Sequence, residues 1–517
     1  MTPETTISAT DPRSGERLDA HPATPPSAIP ELTAAAAAAC SDARLHDTDR
    51  RAAALRGAAA RLRADGERLR DRFQRESGLP AARAAGELER TCVQLEALAD
   101  VVADGAHLEP IIDRADPDAA PAPRPDLRRM LVPVGPVAVF GASNFPFAFG
   151  VAGGDTAAAL AVGCPVVAKG HPAQPGLNRA VADHVAAAIE EAQLPAAAFA
   201  LVQGDTPEIG AALVRAQEIA AVAFTGSTKG GRALFDLAAA RERPIPVFAE
   251  MGSVNPAVVT AGALRRRGAE IAQTFVASIT GAAGQLCTKP GVVLVPEGEE
   301  GDRWCADVAE RLAAAQPLVM LTARMRDALV DQLADLAARD DVRPLTPSSA
   351  RQEPGFRIDA ATYETSATAL ATAPALREEC FGPFALLARY ASQDELLTAV
   401  RAFDGQLATA LHADVAAEPE LAQQLSAALE RRCGRVVFDG WPTGVAVTWA
   451  MQHGGPYPAT TAPGETSVGM TATRRFQRPV CWQDAPQELL PQALRDANPR
   501  GTWRRVDGQL TNASIGA

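Results

Sequence analysis

The chain has 517 residues, 47% hydrophobic and 22% charged, with a formal net charge of −12. That length exceeds one simple core and implies two or three lobes, and the negative balance excludes a nucleic-acid surface, which needs clustered positive charge. No window of about 18 apolar residues is present to cross a membrane, the first residues lack the basic start and apolar core of a signal peptide, and eight singly spread cysteines without CxxC spacing fit a reducing cytoplasm rather than a zinc site or disulfide framework.

In chain order, residues 1–30 are rich in Pro, Thr and Ser and read as a loose arm, with a short strand near the turn Asp11–Gly15. From Ala28 to about Gly105, Leu, Val and Phe recur at three- and four-residue spacing among alanines and mixed charges, a helical pattern. DRADPDAAPAPRPD (113–126) is a Pro-rich connector. An alternating series follows: strand and polar turn in 130–147, helix 155–163, strand 164–175, helix 176–194, strand 198–204, helix 206–216, then strand, Gly turn and helix in 219–240. Strands alternating with helices of ten or more residues predict βαβ units and a parallel sheet, with ligands beyond the carboxyl ends of the strands. A second series runs after Glu250 through 271–281, 292–296, 304–315, 323–339, 384–390, 394–403 and 433–440; residues near 297–350 are poorly anchored by it. RRFQRPVCWQ (474–483) reads as an exposed extended strand, an edge that another subunit commonly covers.

The residues with chemistry centre on GAAGQLCTKPG (281–291). A cysteine ordinarily fills a core, but Gln285 and Thr288 are poor core fillers, and Pro290–Gly291 turns the chain into a strand. Cys287 is therefore a candidate nucleophile, which needs a base or a lowered pKa and a place for an oxyanion. Glu250, flanked by Phe248, Ala249 and Met251, is expected to be desolvated and raised toward the range of a general base. Asn144 in SNFPF (143–147) is either a turn former or an N–H donor to an oxyanion. FTGSTKGG (224–231) ends a strand and opens a helix, which suits a phosphate, although its spacing is not GxGxxG. Only three of the 50 basic residues are lysines, Lys169, Lys229 and Lys289, and all lie beside Gly-rich motifs. Lys169 closes a strand, and with no carboxylate directly after it the position leans toward NADP over NAD. No metal site is expected, because His171 has no second ligand at suitable spacing.

Together these segments resemble the aldehyde dehydrogenase superfamily along nearly the whole chain. SNFPF is similar to its Asn-Phe-Pro motif, VVAKGHP (166–172) to its ribose-binding strand and FTGSTKGG to its phosphate turn; EMGSVNP (250–256), GQLCTKP (284–290) and EECFGPF (378–384) are similar to its glutamate, cysteine and Glu-x-Phe-Gly-Pro segments. EMGS, GWPTGVAV (440–447), HGGPYPATT (453–461) and RPVCWQ narrow the resemblance to NADP-linked semialdehyde dehydrogenases that make 2-oxoglutarate. Ser143, Met251 and Ser253 depart from the wider family's pattern but suit that group.

The resemblance implies two α/β lobes and a small β oligomerisation arm. A Rossmann-like cofactor-binding domain would take residues 1–110 and 134–250, a catalytic domain 251–465, and the arm and tail 111–133 and 466–517. It implies that Cys287 attacks the aldehyde, that Asn144 and the Cys287 N–H hold the oxyanion, and that Glu250 activates the hydrolytic water. Lys169 would bind the adenosine ribose, Gly226, Ser227 and Gly231 the pyrophosphate, and Glu379 and Phe381 the nicotinamide ribose and ring; Glu378 would be structural. The expected protein is a cytoplasmic homodimer or homotetramer that oxidises a small-molecule aldehyde with NADP, or NAD. The substrate would be 2,5-dioxopentanoate, the alternatives being broad-specificity or fatty aldehyde oxidation and a non-catalytic nucleotide-binding scaffold. A CoA-acylating reaction needs no activated water, and the presence of Glu250 argues against it.

Overall fold

A computed structural model describes residues 6–346 and 353–516; residues 347–350, the end of the poorly anchored 297–350 region, lie outside them. Five parallel strands form the first sheet, in the order Phe199–Val202, Val166–Lys169, Val137–Phe140, Ala221–Thr225, Val247–Glu250. Their short apolar runs are nearly all buried, as in a parallel sheet covered by helices on both faces. The strand that comes first in the chain lies in the middle, and the chain leaves it in both directions. That places a crevice at the carboxyl ends of Val137–Phe140 and Ala221–Thr225, the strands that lead into Asn144 and Ser227.

The second sheet has seven strands: Arg343–Thr346, Ala361–Ser366, Phe384–Tyr390, Val292–Pro296, Ala257–Val259, Gln406–His412 and Cys433–Phe438. All pair in parallel except the first two, which are antiparallel. The sequence pattern missed the strands at 257–259, 361–366 and 406–412. The first is only three residues long, and Gln, Thr and Glu interrupt the other two. A third sheet joins Gln477–Gln483, Leu127–Pro133, Ile111–Asp113, Arg504–Val506 and Gln509–Thr511 in that order. The predicted extended strand is its outer member, pairing antiparallel from Gln477↔Pro133 to Gln483↔Leu127.

One expectation needs correction at the N-terminal end, while the helical pattern from Ala28 to about Gly105 is borne out. The loose arm is a hairpin, Thr6–Thr10 against Arg17–Pro22, and its turn is tied by Phe356 N–H donating to Pro12 O at 2.8 Å. The helical stretch is several helices; Thr48–Ala64 and Ala81–Asp104 pack closely because alanines line their contact. The second of these reaches the first sheet's crevice. Glu87 Oε1 accepts the N–H groups of Phe147 and Ala148 at 2.9 and 3.1 Å, clamping the loop that carries Asn144.

Candidate active site

The helix Ala261–Thr280 ends against three successive left-handed residues, Ala282 (φ 51°), Ala283 (φ 53°) and Gly284 (φ 64°). Each alanine there costs about 1–2 kcal/mol, so the neighbourhood must over-determine the turn. Gln285 does so. Its Nε2 donates to Ala282 O at 3.1 Å, and its Oε1 accepts from Leu321 N–H at 2.9 Å. Asn255, itself at φ 52°, holds the far side by donating through Nδ2 to the carbonyls of Cys287 (2.8 Å) and Lys289 (3.0 Å). A Cβ on Gly284 would lie 2.2 Å from Gly382 O. Gly284→Ala is expected to destabilise the protein by about 2 kcal/mol or more, read as a lower Tm with a parallel loss of kcat.

Three segments meet at the thiol. Asn144 Nδ2 donates to Gln285 O at 3.0 Å, which ties the Asn144 loop two residues from Cys287. Cys287 Sγ lies 3.6 Å from His453 Nε2, and the same nitrogen lies 3.0 Å from Glu250 Oε1. Ser467 Oγ donates to Glu250 Oε2 at 2.7 Å and so fixes the other carboxylate oxygen. The ligating atoms of Glu250, Cys287 and His453 all fall within 4.8 Å of one another, close enough to share a metal ion, a grouping that no motif spacing predicts. His453 was missed as a functional residue; its only signal was its place in HGGPYPATT, 166 positions from Cys287.

The electrostatics correct one expectation. Burial does act to raise the Glu250 carboxyl, but the adjacent His453 and the hydrogen bonds from His453 and Ser467 outweigh it and hold the group below the usual carboxylate range. The Glu250 carboxyl is thus held ionised rather than neutral. Burial and the Glu250 charge push the Cys287 thiol well above its ordinary value, so at neutral pH it rests protonated.

The remaining predicted residues line the crevice. Lys169 ends its strand two places from Ala221–Thr225, and burial lowers it to about 8, partly offset by Asp205. The carboxylate missing directly after Lys169 is therefore supplied by the neighbouring strand's end. Ser227 Oγ accepts from Gly230 N–H at 3.2 Å and caps the helix Thr228–Ala239. Gly226 packs on the Phe224 ring and Gly231 on Met251, where a Cβ would sit 2.5 and 2.7 Å from those side chains. Glu379 belongs to the same crevice: a Cβ on Gly252 would lie 2.5 Å from its Oε2 and 2.9 Å from Thr228 Oγ1. Burial pushes Glu379 up to about 7. Phe381 is half-buried two residues further on, and Glu378 is exposed. Lys289 is architectural, its Nζ donating to Cys380 O (3.2 Å) and Phe384 O (2.5 Å), while Lys229 is exposed in the helix start. Lysine scarcity therefore marked three different uses.

A family model for the aldehyde dehydrogenase family matches residues 1–456. Alpha-ketoglutaric semialdehyde dehydrogenase 2 of Azospirillum brasilense is 45% identical over 515 residues, 98% of this chain and 96% of its own. Alpha-ketoglutaric semialdehyde dehydrogenase of Acinetobacter baylyi is 41% identical over 453 residues, covering 86% and 84% of the two chains. The solved structure of succinic semialdehyde dehydrogenase from Streptococcus pyogenes in complex with NADP+ superposes with a TM-score of 0.78 at 17% identity, covering 92% of this chain and 99% of that one. The expected α/β architecture is thus that of solved relatives, and with matches of this length the chain belongs to the aldehyde dehydrogenase family.

Proposed function

We propose that the protein oxidises 2,5-dioxopentanoate to 2-oxoglutarate with NADP, using Cys287 as nucleophile, Asn144 as oxyanion donor and Glu250 as the deacylation base. The observation that carries this reading is the contact chain Cys287 Sγ, His453 Nε2, Glu250 Oε1, at 3.6 and 3.0 Å, with Asn144 tied beside it. A resting thiol needs a proton acceptor in reach, and the ionised Glu250 carboxylate, whose charge acts directly on Cys287, supplies one. As sulfur bonds to the aldehyde carbon, the thiol proton moves to Glu250, and the Asn144 amide and Cys287 N–H take the oxyanion. NADP, when bound, accepts the hydride from that carbon. After releasing that proton to solvent, Glu250 takes a second one from the water that attacks the thioester, and the carbon–sulfur bond breaks to free the carboxylate product.

The crevice fits a dinucleotide. Lys169 is a buried cation whose ammonium a ribose oxygen would satisfy, and the helix at Thr228–Ala239 presents its N-terminus to the same space. With the Ser227 hydroxyl engaged as the helix cap, its part in phosphate binding falls to the backbone N–H groups around it. Gly226 and Gly231 keep that turn close, and Glu379 lies beside it near Gly252 and Thr228, with Phe381 two residues further on as the expected partner of the nicotinamide ring. Because Asp205 faces Lys169, NAD is the second cofactor to test.

The substrate rests on the two semialdehyde dehydrogenase relatives, each similar over more than four-fifths of the chain. Its test is a comparison of kcat/KM for 2,5-dioxopentanoate and for pentanal, each with NADP and NAD. A desolvated charge contact at the distal end is worth about 1.5–3 kcal/mol, so a preference of roughly 10- to 100-fold for the oxo acid is expected. Equal values, or a preference for pentanal, would favour a broad aliphatic aldehyde dehydrogenase.

The division into a cofactor-binding domain, a catalytic domain and an oligomerisation arm at residues 110, 133, 250 and 465 belongs to the same reading. So does a homodimer or homotetramer, supported by the outer strand Gln477–Gln483 at one edge of the third sheet and by exposed Trp503 and Leu510 towards its other edge. Eight cysteines, none in a disulfide, support a cytoplasmic setting.

A further inference from the structure

Resting on that reading and deepening it, we propose that Arg90 receives the distal carboxylate of the substrate, and so selects ω-oxo acids over uncharged aldehydes. Arg90 lies on the helix Ala81–Asp104, and its Nε and Nη2 atoms are buried without a hydrogen-bond partner. Leaving a buried guanidinium unsatisfied is costly, and an incoming carboxylate is the anion its planar fork fits.

The natural partner on its own helix is already committed. Glu87, three residues earlier, spends Oε1 on the N–H groups of Phe147 and Ala148 and Oε2 on Arg83 Nε at 2.9 Å. Arg90 is left facing aromatic rings, with its guanidinium 5.8 Å from the centroid of Phe145 and 5.6 Å from that of Phe149. Phe145 follows Asn144 directly, and Phe149 meets the His453 ring edge-on at 6.1 Å. Arg90 thus borders the enclosure formed by the oxyanion donor and the histidine beside the thiol, and its charge is felt by both Cys287 and Glu250.

Arg435 also acts electrostatically on Cys287, but it is engaged elsewhere: Nη1 donates to Gly444 O at 2.7 Å and Nη2 to Pro442 O. Its role is to hold the 440–447 loop in place. Arg435 keeps only Nε unpartnered, and Arg83, whose Nε is held by Glu87, keeps only Nη2, whereas Arg90 has both Nε and Nη2 free, the pair that binds a carboxylate side-on. In 2,5-dioxopentanoate the carboxylate stands four carbon–carbon bonds from the reacting carbonyl, so a cation beside the Asn144 loop can hold the acid end while the aldehyde meets sulfur.

The test measures kcat/KM for 2,5-dioxopentanoate and pentanal in the wild type, Arg90→Met and Arg90→Lys, with Tm as a check on folding. Methionine keeps the apolar stem against the two rings and removes the charge. The expected result is a fall of about 30- to 100-fold in the oxo-acid-to-pentanal ratio for Arg90→Met, carried by KM, and partial recovery in Arg90→Lys, whose ammonium lacks the bidentate fork. If the wild type prefers the oxo acid and Arg90→Met keeps that preference, Arg90 is not the carboxylate site and the substrate reading stands. Should the wild type show no preference at all, both fall together.

Discussion

Cys287→Ala is expected to lower aldehyde-dependent NADPH formation by roughly 10⁴-fold or more, because the covalent route is lost and no other thiol can replace it. Among the cysteines, Cys287 is the one whose sulfur touches both an imidazole and, through it, a carboxylate. Cys380, the nearest in chain position to the crevice residues, is buried and raised to about 11. Affinity for NADP, followed by quenching of tryptophan fluorescence, should change little, since the Cys287 side chain belongs to the thiol cluster and not to the Lys169–Ser227 side of the crevice. Residual turnover within about tenfold of the wild type would remove Cys287 from the mechanism.

Glu250→Gln should separate the two halves of the reaction. Glutamine keeps the shape and the contact with Ser467 Oγ, but it cannot take a proton from water. Acylation has to lose only one proton per site and can pass it slowly to solvent, so at most one NADPH per site is expected as a slowed burst. Steady turnover should then fall by about 10²–10⁴-fold, the usual worth of a general base, with the acylated Cys287 visible as a mass increase. Continued turnover at the burst rate would refute the assignment. The pH profile of the wild type follows from the same geometry. A depressed carboxyl is charged through the neutral range and loses its charge only as pH falls through its lowered pKa. The acid-side loss of deacylation is therefore expected below the ordinary glutamate range, and not near neutrality as a raised pKa would require.

What the sequence made legible was local. Cys287, Glu250 and Asn144 each sit in a short motif with its own turn chemistry, and the structure draws all three to one place. The βαβ series was readable because buried strands and long helices differ in length and period. Other features depended on contacts between distant positions. His453 reaches the thiol across 166 residues, and nothing in HGG announces an imidazole aimed at a sulfur. The sign of the Glu250 shift depends on that same histidine, so flanking apolar residues alone gave the wrong direction. Arg90 looked like one more charge on a mixed-sign helix, and only the commitment of Glu87 to two backbone N–H groups sets it apart. Gln285 and Asn255 were in view as motif letters, but their work as ties across the Cys287 turn appears only when the loops are folded together.

The grip of Glu87 on Phe147 and Ala148 has a consequence for any attempt to trim the protein. A shortened version that begins at the parallel sheet would keep Asn144, Glu250, Cys287 and His453, yet it would lose the brace on the Asn144 loop and the Arg90 guanidinium one turn further along the same helix. A shortened version is therefore expected to lose activity unless it retains the helix Ala81–Asp104.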